Sequence, residues 1–457
     1  MHLISLRLVN FKKFENIEID LTKRLILLVG PNSVGKTSII KAILALKQTF
    51  SNENDHDVFN ARGSLVDLGT YKDYIYDHEI KKDFMFSGVI DNPGGNLNSI
   101  DIDVEKISFD INYGFNGESD QAYLIGIEFN FYKGNDKFTL NVSSKKNYKN
   151  GKNELDYVIE VKNIERFAKN SMFVDFFLKT QRESLSKNKI LYKLTAKFNL
   201  ETSRLSHSEL FYSKLNQSLV DECIKSLKLC FDDGFSYIGP IRQRPERFSV
   251  RNSYSKYVGA SGENTASVLT NLYNHQGQRQ KFNKINEDFS FLLNKKVDAK
   301  SAGELTKIRI LNIDGDSSES ISDVGFGISQ ILPIVTQLNI CEKDQRLILE
   351  QPELHLHPES QTKLAKLFST GVQSKKFLIE THSEHLIRGV QLAIHDSYKK
   401  QDGVISSADV SIIYISENDG ALRTKNMKID ASGKMEENWP KGFFDQAYKF
   451  TMIMLGA

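Results

Sequence analysis

Cysteine, proline and long apolar runs are all scarce in this sequence, and each scarcity excludes a class of protein. Only 3 cysteines occur among 457 residues, without a C-x-x-C pair, which argues against a disulfide framework and a cysteine-based zinc site. The 8 prolines and the 40% hydrophobic content fit neither a collagen-like nor a disordered chain. No apolar stretch reaches the roughly 20 residues of a membrane-spanning helix, and residues 1–10 alternate instead of forming a signal sequence. We therefore expect a soluble cytoplasmic protein without membrane contacts.

The chain also has almost no net charge. Its 60 Lys and Arg residues nearly balance its 58 Asp and Glu residues, so bulk electrostatics gives no indication of nucleic-acid binding. The charges are unevenly distributed, because residues 51–120 are acidic and residues 133–197 are basic. These segments are either solvated faces or a contact surface for a partner chain or a phosphate backbone.

The length leaves room for two or three packed units. Alternating apolar residues at 2–9 and 17–21 predict a hairpin-like pair of strands, and a longer series of alternating segments over 84–163 predicts an antiparallel sheet. Helical spacing follows at 164–177 and 209–230.

A second block begins near residue 302, and in it strands alternate with helices. Apolar strands are predicted at 346–349, 377–379 and 410–415, with helices at 359–369 and from residue 384. This alternation predicts a largely parallel, doubly wound sheet.

A glycine-rich loop joins the apolar strand 24–29 to the helical pattern at 39–46. The loop reads GPNSVGKTS over 30–38 and matches G-x-x-x-x-G-K-[ST]. In such loops the backbone N–H groups surround a β-phosphate, the lysine reaches the β- and γ-oxygens, and the hydroxyl ligates Mg²⁺. The motif therefore predicts a site for ATP and Mg²⁺ whose candidate residues are Asn32, Ser33, Val34, Gly35, Lys36, Thr37 and Ser38.

The metal side of that site is predicted further along the chain. The apolar strand from Leu347 ends in Glu350 and continues as Gln-Pro-Glu. A buried strand that ends in a carboxylate can direct it at a Mg²⁺ held by Thr37. Glu350 is therefore the predicted metal ligand.

Four segments together carry a family resemblance. They read LVNFKKF at 8–14, DVGFGISQ at 323–330, EQPELHLHP at 350–358 and ETHS at 380–383. The sequence resembles ABC-type ATPases of the RecF, Rad50 and SMC-head group, in their short, OLD-like bacterial branch. No D-x-D motif of a Toprim nuclease follows His382.

The resemblance implies an α/β ABC-ATPase head with two lobes and an α+β insertion. Residues 1–90 would form the N-terminal lobe, 91–300 the insertion with oligomer or partner contacts, and 301–457 the C-terminal lobe.

The resemblance also implies roles for individual residues. Gly325, Gly327, Ser329 and Gln330 would form a signature segment, with Ser329 at the mouth of an apolar helix over 331–338, that contacts the γ-phosphate held by another protomer. His382 would sense the γ-phosphate. Lys12 and Lys13 of the opening strand are further candidates for nucleotide binding. The resemblance also implies a loop, named for its glutamine, that contacts the metal. Its candidates are Gln48 and the segment 69–73.

One departure from the family pattern concerns hydrolysis. Most ABC-type heads have a glutamate where this chain has Gln351, and a neutral amide cannot accept a proton from water. Either Glu353 polarises the attacking water or turnover is slow and ATP acts mainly as a dimer clamp.

Two further segments resemble elements of the same branch. The segment 237–247 contains three arginines. They bind either a phosphate or a partner chain, or they form structural ion pairs within the protein. No chemical role follows from the residues of the segment 439–445.

The resemblance implies an ATPase subunit of a bacterial anti-phage defence complex of the Septu or PARIS type. ATP would hold homo-oligomers together, at least as ATP-sandwiched dimers, and the assembly would control a separate nuclease or toxin effector. The alternative is a RecF-like repair ATPase that clamps duplex DNA.

Overall fold

The computed structural model describes residues 1–51, 59–92, 96–97, 102–117, 120–149, 152–162, 193–194, 220–250, 255–302, 305–313, 317–418, 420–440 and 454. They belong to two compact units. The first unit comprises Met1–Thr22 and Ser38–Gly234, and the second comprises Lys23–Thr37 and Phe235–Ala457.

The secondary-structure elements are numbered in chain order. The strands are β1 (His2–Phe11), β2 (Phe14–Asp20), β3 (Leu25–Val29), β4 (Phe84–Asp91), β5 (Asn96–Leu97), β6 (Ile102–Asp103), β7 (Lys106–Asn116), β8 (Gln121–Lys133), β9 (Asp136–Lys149), β10 (Lys152–Lys162), β11 (Lys193–Leu194), β12 (Phe235–Ile238), β13 (Ser249–Val250), β14 (Lys295–Ala302), β15 (Leu305–Asn312), β16 (Ser318–Ser320), β17 (Arg346–Glu350), β18 (Lys376–Glu380), β19 (Val410–Asn418) and β20 (Ala421–Met427). The helices are α1 (Lys36–Ser51), α2 (Tyr71–Tyr74), α3 (Thr265–Asn274), α4 (Arg279–Leu293), α5 (Phe326–Ile340), α6 (Pro358–Gly371) and α7 (Glu384–Lys400).

The first unit is built on an eight-stranded antiparallel sheet in the order β11-β10-β9-β8-β7-β4-β1-β2. Burial alternates along β4, as expected for a strand with one face in the core. The core on that face is aromatic, and Phe59 lies 5.2 Å from Phe84 and 5.3 Å from Tyr113 between ring centroids. The predicted strand pair at the N-terminus and the predicted antiparallel sheet are confirmed.

The predicted helices of the first unit fall mostly on residues outside the described set. This holds for 164–177 and for the first part of 209–230. Residues 220–228 are helical and continue into a wider turn at Leu229–Asp233.

The second unit is built on a six-stranded sheet in the order β12-β17-β18-β3-β19-β20. The first five strands are parallel, and only β20 runs antiparallel, at the edge. All five residues of β3 are buried, as its continuous apolar sequence requires for a central parallel strand. The predicted parallel sheet is confirmed.

The lobe boundary differs from the prediction. The C-terminal lobe was expected to begin at 301, yet β12 at Phe235–Ile238 already pairs with β17 in the six-stranded sheet. β12 and β17 pair although their residues lie more than 100 positions apart in the sequence. A local sequence pattern cannot indicate such a pairing.

Helices and a smaller sheet complete the core of the second unit. Buried side chains recur three or four residues apart on α6 and α7, which places them on one helical face, whereas α5 is buried all around over 329–338. β13, β15 and β14 form the smaller sheet, with β16 paired to β15. No helix among the described residues is long and apolar enough to span a membrane.

Candidate nucleotide-binding site

The glycine loop follows β3 and ends at α1, as predicted. Gly30 has a φ of 145°, and a Cβ there would lie 2.2 Å from the carbonyl oxygen of Ile415, so only glycine fits. Ser33 and Gly35 also have positive φ angles. Asn32 and Ser33 are exposed and Val34 is buried. These features give the loop the tight curvature that directs consecutive N–H groups to one side.

Lys36 is the first residue of α1 and is 3% exposed. Its Nζ donates hydrogen bonds to Gly30 O at 3.0 Å and to Pro31 O at 2.6 Å. Burial lowers the pKa of Lys36, and the Glu380 carboxylate opposes that effect. The first turn of α1 contains no acidic residue of its own, and the positive end of the helix dipole lies at this loop.

The carboxylate that contacts Thr37 is Glu380. Thr37 Oγ1 donates to the two carboxylate oxygens of Glu380 at 2.9 and 3.1 Å. The sequence predicts Glu350 beside Thr37, but β18 lies between β17 and β3, so Glu350 stands one strand further away. Its Oε1 accepts a hydrogen bond from the Tyr237 hydroxyl at 2.7 Å.

Glu350 and Glu380 are in register on adjacent parallel strands. They are 5% and 4% exposed, respectively. Two buried carboxylates repel each other unless a cation balances them. Carboxylate and hydroxyl oxygens are hard donors that suit Mg²⁺, so Thr37, Glu350 and Glu380 fit a nucleotide-bound Mg²⁺. No cluster of three or more Asp, Glu, His or Cys ligands occurs within the described part of the chain.

Glu380 is not among the metal ligands predicted from the sequence. Its signal was the same as that of Glu350, a carboxylate at the end of a short apolar strand. The order of the strands, which decides which carboxylate reaches Thr37, is not encoded locally.

The turn after β17 contacts the loop after β18. Gln351 has a φ of 45°, and its N–H donates to Glu380 O at 2.8 Å. Glu353 Oε1 accepts from Thr381 Oγ1 at 2.8 Å and from the His382 N–H at 2.9 Å. Burial raises the pKa of Glu353. The Glu353 carboxylate therefore holds the loop that carries His382.

His382 is half-buried at the carboxyl edge of the sheet. Burial lowers its pKa, and the positive charge of Lys36 lowers it further. The imidazole is therefore neutral near pH 7 and can accept a hydrogen bond at one ring nitrogen.

The segment 237–247 supports the end of β17. Arg242 is 3% exposed, and its Nη2 donates to Glu350 O at 3.0 Å. Burial lowers the pKa of Arg242 to about 10, and the Glu353 charge opposes the shift. Arg247 instead pairs with Asp323 at 2.7 Å on the surface. Arg242 and Arg247 therefore both have structural partners. For these two residues, this favours the structural interpretation of the segment over binding of a phosphate or a partner.

The signature helix begins earlier than predicted. It was expected over 331–338, but α5 starts at Phe326. Ser329 therefore lies within the first turns of α5, 5% exposed, and its Oγ donates to Phe326 O at 2.8 Å. The first turn of α5 packs closely against the turn after β17, because a Cβ at Gly327 would lie 2.4 Å from His355 O.

Gly325 and Gln330 differ in exposure. No atom lies within 4 Å of a Cβ built on Gly325, which precedes the first residue of α5. Gln330 is 2% exposed, and its Nε2 donates to Arg242 O at 3.4 Å. The end of β17 and the signature helix are thus both bonded to Arg242.

The remaining candidates lie in the first unit. Lys12 Nζ donates to Leu68 O at 3.3 Å and to Asp73 O at 3.0 Å. Lys13 is exposed, and Ser38 is half-buried within α1. Their nucleotide-binding roles stay predictions.

Gln48 is buried in the first unit, where its amide binds a neighbouring loop. Its Nε2 donates to Asn60 O at 2.5 Å and to Val66 O at 3.1 Å, and its Oε1 accepts from Val66 N at 3.2 Å. In the alternative segment 69–73, the Asp73 carboxylate accepts from Thr70 and caps α2. A metal contact by either candidate stays a prediction.

Comparisons with known proteins find two family models that match this chain. A family model described as "AAA ATPase domain" matches residues 1–387, and one described as a protein of unknown function (DUF3696) matches residues 405–452. The chain is 30% identical over 70 residues to the DNA replication and repair protein RecF of Oenococcus oeni. That match covers 15% of this chain and 19% of the RecF chain, so most of the RecF length is unmatched.

Two solved SMC heads are also similar, at low identity. An SMC head bound to the C-winged helix domain of ScpA is 11% identical, with a TM-score of 0.46, and covers 94% of this chain and 98% of its own. An SMC head from Pyrococcus furiosus, with an extended coiled coil and bound to the C-terminal domain of ScpA, is 12% identical with a TM-score of 0.45, covering 99% of both chains.

The sheet order and the family match lead to one assignment. The α/β class predicted from the sequence is confirmed by a mostly parallel sheet. In this sheet β3, the strand before the glycine-rich loop or P-loop, has parallel neighbours on both sides. The family model covers the P-loop, the signature segment, the strand of Glu350 and the loop of His382. The chain belongs to the AAA ATPase domain family.

Proposed function

We propose that this chain binds Mg²⁺·ATP at the carboxyl edge of the six-stranded sheet and hydrolyses it slowly. The observation that carries the proposal is the hydrogen bond of 2.9 Å between Thr37 and Glu380. It brings the last residues of a phosphate-binding loop together with a buried carboxylate. Phosphoryl transfer depends mainly on such positioning and on charge stabilisation.

The residues of the loop would act mainly on the phosphates. The N–H groups from Asn32 to Ser38 would donate to phosphate oxygens, and Lys36 Nζ would exchange its carbonyl acceptors for β- and γ-oxygens. Thr37 and the carboxylates would hold Mg²⁺, which neutralises charge on the phosphates when bound. His382, neutral near pH 7, would accept a hydrogen bond from the attacking water.

Slow turnover follows from the side chains available to take the proton of the water. Gln351 carries a neutral amide, which cannot serve as a base. Glu353 Oε1 already accepts two hydrogen bonds from Thr381 and His382, and Glu353 Oε2 is buried away from solvent. Under this proposal His382 is the remaining group, and the ATP-bound form persists.

We further propose that ATP joins two protomers and that the assembly restrains a separate nuclease or toxin in a bacterial anti-phage complex. The family resemblance of the signature segment supports the first part. The resemblance to the ATPase subunits of such defence systems supports the second part.

A RecF-like clamp on duplex DNA is the second candidate, and the identity to RecF favours it. The two functions differ in their response to salt. A clamp would lose DNA affinity steeply as salt rises in the presence of ATP, whereas an effector scaffold would show no ATP-dependent DNA binding.

Substitution of the P-loop lysine tests nucleotide binding directly. Lys36→Ala removes a cation from the phosphate site, and by analogy with lost oxyanion donors this costs on the order of 3 kcal/mol. Calorimetry should therefore detect a loss of ATP affinity of about 100-fold. Lys343→Ala, at an exposed lysine of the second unit, should bind ATP like the wild type. Unchanged affinity in Lys36→Ala would refute the assignment.

A further inference from the structure

Glu380 occupies a position between the two elements on which the proposed site depends. It ends β18, which pairs with the P-loop strand β3 on one side and with β17 on the other. Its two oxygens accept the Thr37 hydroxyl proton at 2.9 and 3.1 Å. At 4% exposure, this carboxylate is removed from solvent, so its charge requires a partner at the site.

The geometry suits a hydroxyl that binds a metal. An oxygen that ligates Mg²⁺ through a lone pair must direct its proton elsewhere, and an acceptor for that proton fixes the ligand in the correct orientation. Glu380 is such an acceptor for Thr37. Glu350 is fixed similarly by the hydroxyl of Tyr237 at 2.7 Å.

The negative charge at this edge of the sheet also indicates a role for Glu380. With Glu350 and Glu380 in register and both buried, a bare triphosphate would add further negative charge beside two carboxylates, of which Glu380 interacts with the charge of Lys36 and Glu350 with that of Arg242. A divalent cation would balance the two carboxylates. The carboxylate pair therefore favours metal-bound nucleotide over free nucleotide.

We propose that Glu380 is a second carboxylate of the metal side of this site, which orients Thr37 and, with Glu350, makes nucleotide binding depend on Mg²⁺. The inference rests on the proposed function. To the metal ligands predicted from the sequence, Thr37 and Glu350, it adds a residue on the strand next to β3.

The test measures the affinity for a fluorescent ATP analogue with Mg²⁺ and with EDTA, without any measurement of hydrolysis. Glu380→Gln should reduce the Mg²⁺ enhancement by about 10- to 100-fold, the range for lost supports of metal ligands. In EDTA the variant should bind at least as tightly as the wild type, because one negative charge near the phosphates is gone. Glu436→Gln, at an exposed position of the second unit, should leave both affinities unchanged.

A purely structural role would give another pattern. If Glu380 only anchored the P-loop to β18, Glu380→Gln would weaken binding equally with Mg²⁺ and with EDTA, and that result would overturn the proposal. An enhancement equal to that of the wild type would also overturn it.

Glu380→Asp keeps the charge but shortens the side chain, and it covers the case in which the glutamine variant does not fold. It should retain an intermediate Mg²⁺ enhancement, and a wild-type enhancement would contradict the proposal. Failure of the proposed function itself is recognised separately, because the wild type would then bind no nucleotide in either condition.

Discussion

The backbone N–H of His382 donates a hydrogen bond of 2.9 Å to Glu353 Oε1. The same oxygen accepts from Thr381 Oγ1 at 2.8 Å, and Glu353 is 7% exposed. The turn after β17 and the loop after β18 are therefore joined at one buried carboxylate. A shift of either segment would move the imidazole relative to the P-loop.

Glu353→Gln should slow hydrolysis while ATP affinity stays close to that of the wild type. The amide oxygen is a weaker acceptor than a carboxylate, and the loss of charge-assisted hydrogen bonding is about 1 kcal/mol. We expect single-turnover hydrolysis to fall about fivefold. Glu359→Gln, on the exposed first turn of α6, serves as the control. Equal rates in both variants would show that Glu353 does not position the loop.

The pH dependence of hydrolysis should depend on His382. Burial and then the charge of Lys36 lower its pKa below the usual value of 6.5. The neutral ring is therefore present through pH 7 to 8 and is lost only as the pH falls below 6.5 and through the lowered pKa. Rates should be level above neutrality and should decline in acid. The acid decline should disappear in the residual rate of His382→Gln, and a decline that persists there would assign it to another group.

The same shift predicts a change in stability. Because the unfolded chain binds a proton at His382 more readily than the folded chain does, the free energy of unfolding should fall as the pH drops below 6.5. Chemical denaturation of wild type and His382→Gln at two pH values measures this. The wild type should lose more stability in acid, and equal losses would show that His382 does not contribute.

The signature segment offers a clean test of ATP-dependent association. Ser329 is buried and bonded within α5, so a large residue there would disturb folding. Gly325 is better suited, because a Cβ meets no atom within 4 Å and its φ of −56° is accessible to any residue.

Gly325→Arg should leave ATP binding intact and should abolish the increase in mass that ATP causes in light scattering. The arginine would protrude at the start of α5, where a second protomer would present its nucleotide. Gly277→Arg, another glycine with open space around it, should associate normally. ATP-dependent dimers of Gly325→Arg as stable as those of the wild type would refute a composite site.

Local features were predictable, and non-local ones were not. The strand, glycine loop and helix around Lys36 lie within a short segment, whose residue pattern is itself the physical cause of the structure. The proximity of Glu380 to Thr37 depends on which strand lies beside β3. Parallel strands pair across long connections, and their order is fixed by packing that no local pattern reveals.

The start of α5 illustrates the same limit. The predicted start at residue 331 followed the first strongly apolar residues, because glycines at 325 and 327 are poor helix formers. Gly327 is nevertheless helical, and its missing side chain allows the close approach of α5 to His355 O. Tertiary packing overrides intrinsic propensity at this residue.

Gln351 stands at a position where most ABC-type heads have a glutamate. Its φ of 45° is a left-handed conformation, which asparagine also tolerates. Gln351→Glu, with a side chain of the same size and shape, should introduce a base without a change in backbone geometry, while Gln351→Asn keeps the site neutral. General-base assistance is worth about 10²-fold or more in rate. Single-turnover hydrolysis should accelerate in Gln351→Glu but not in Gln351→Asn, with ATP affinity no tighter in either. A brisk wild-type rate that neither substitution alters would show that this position does not handle the attacking water.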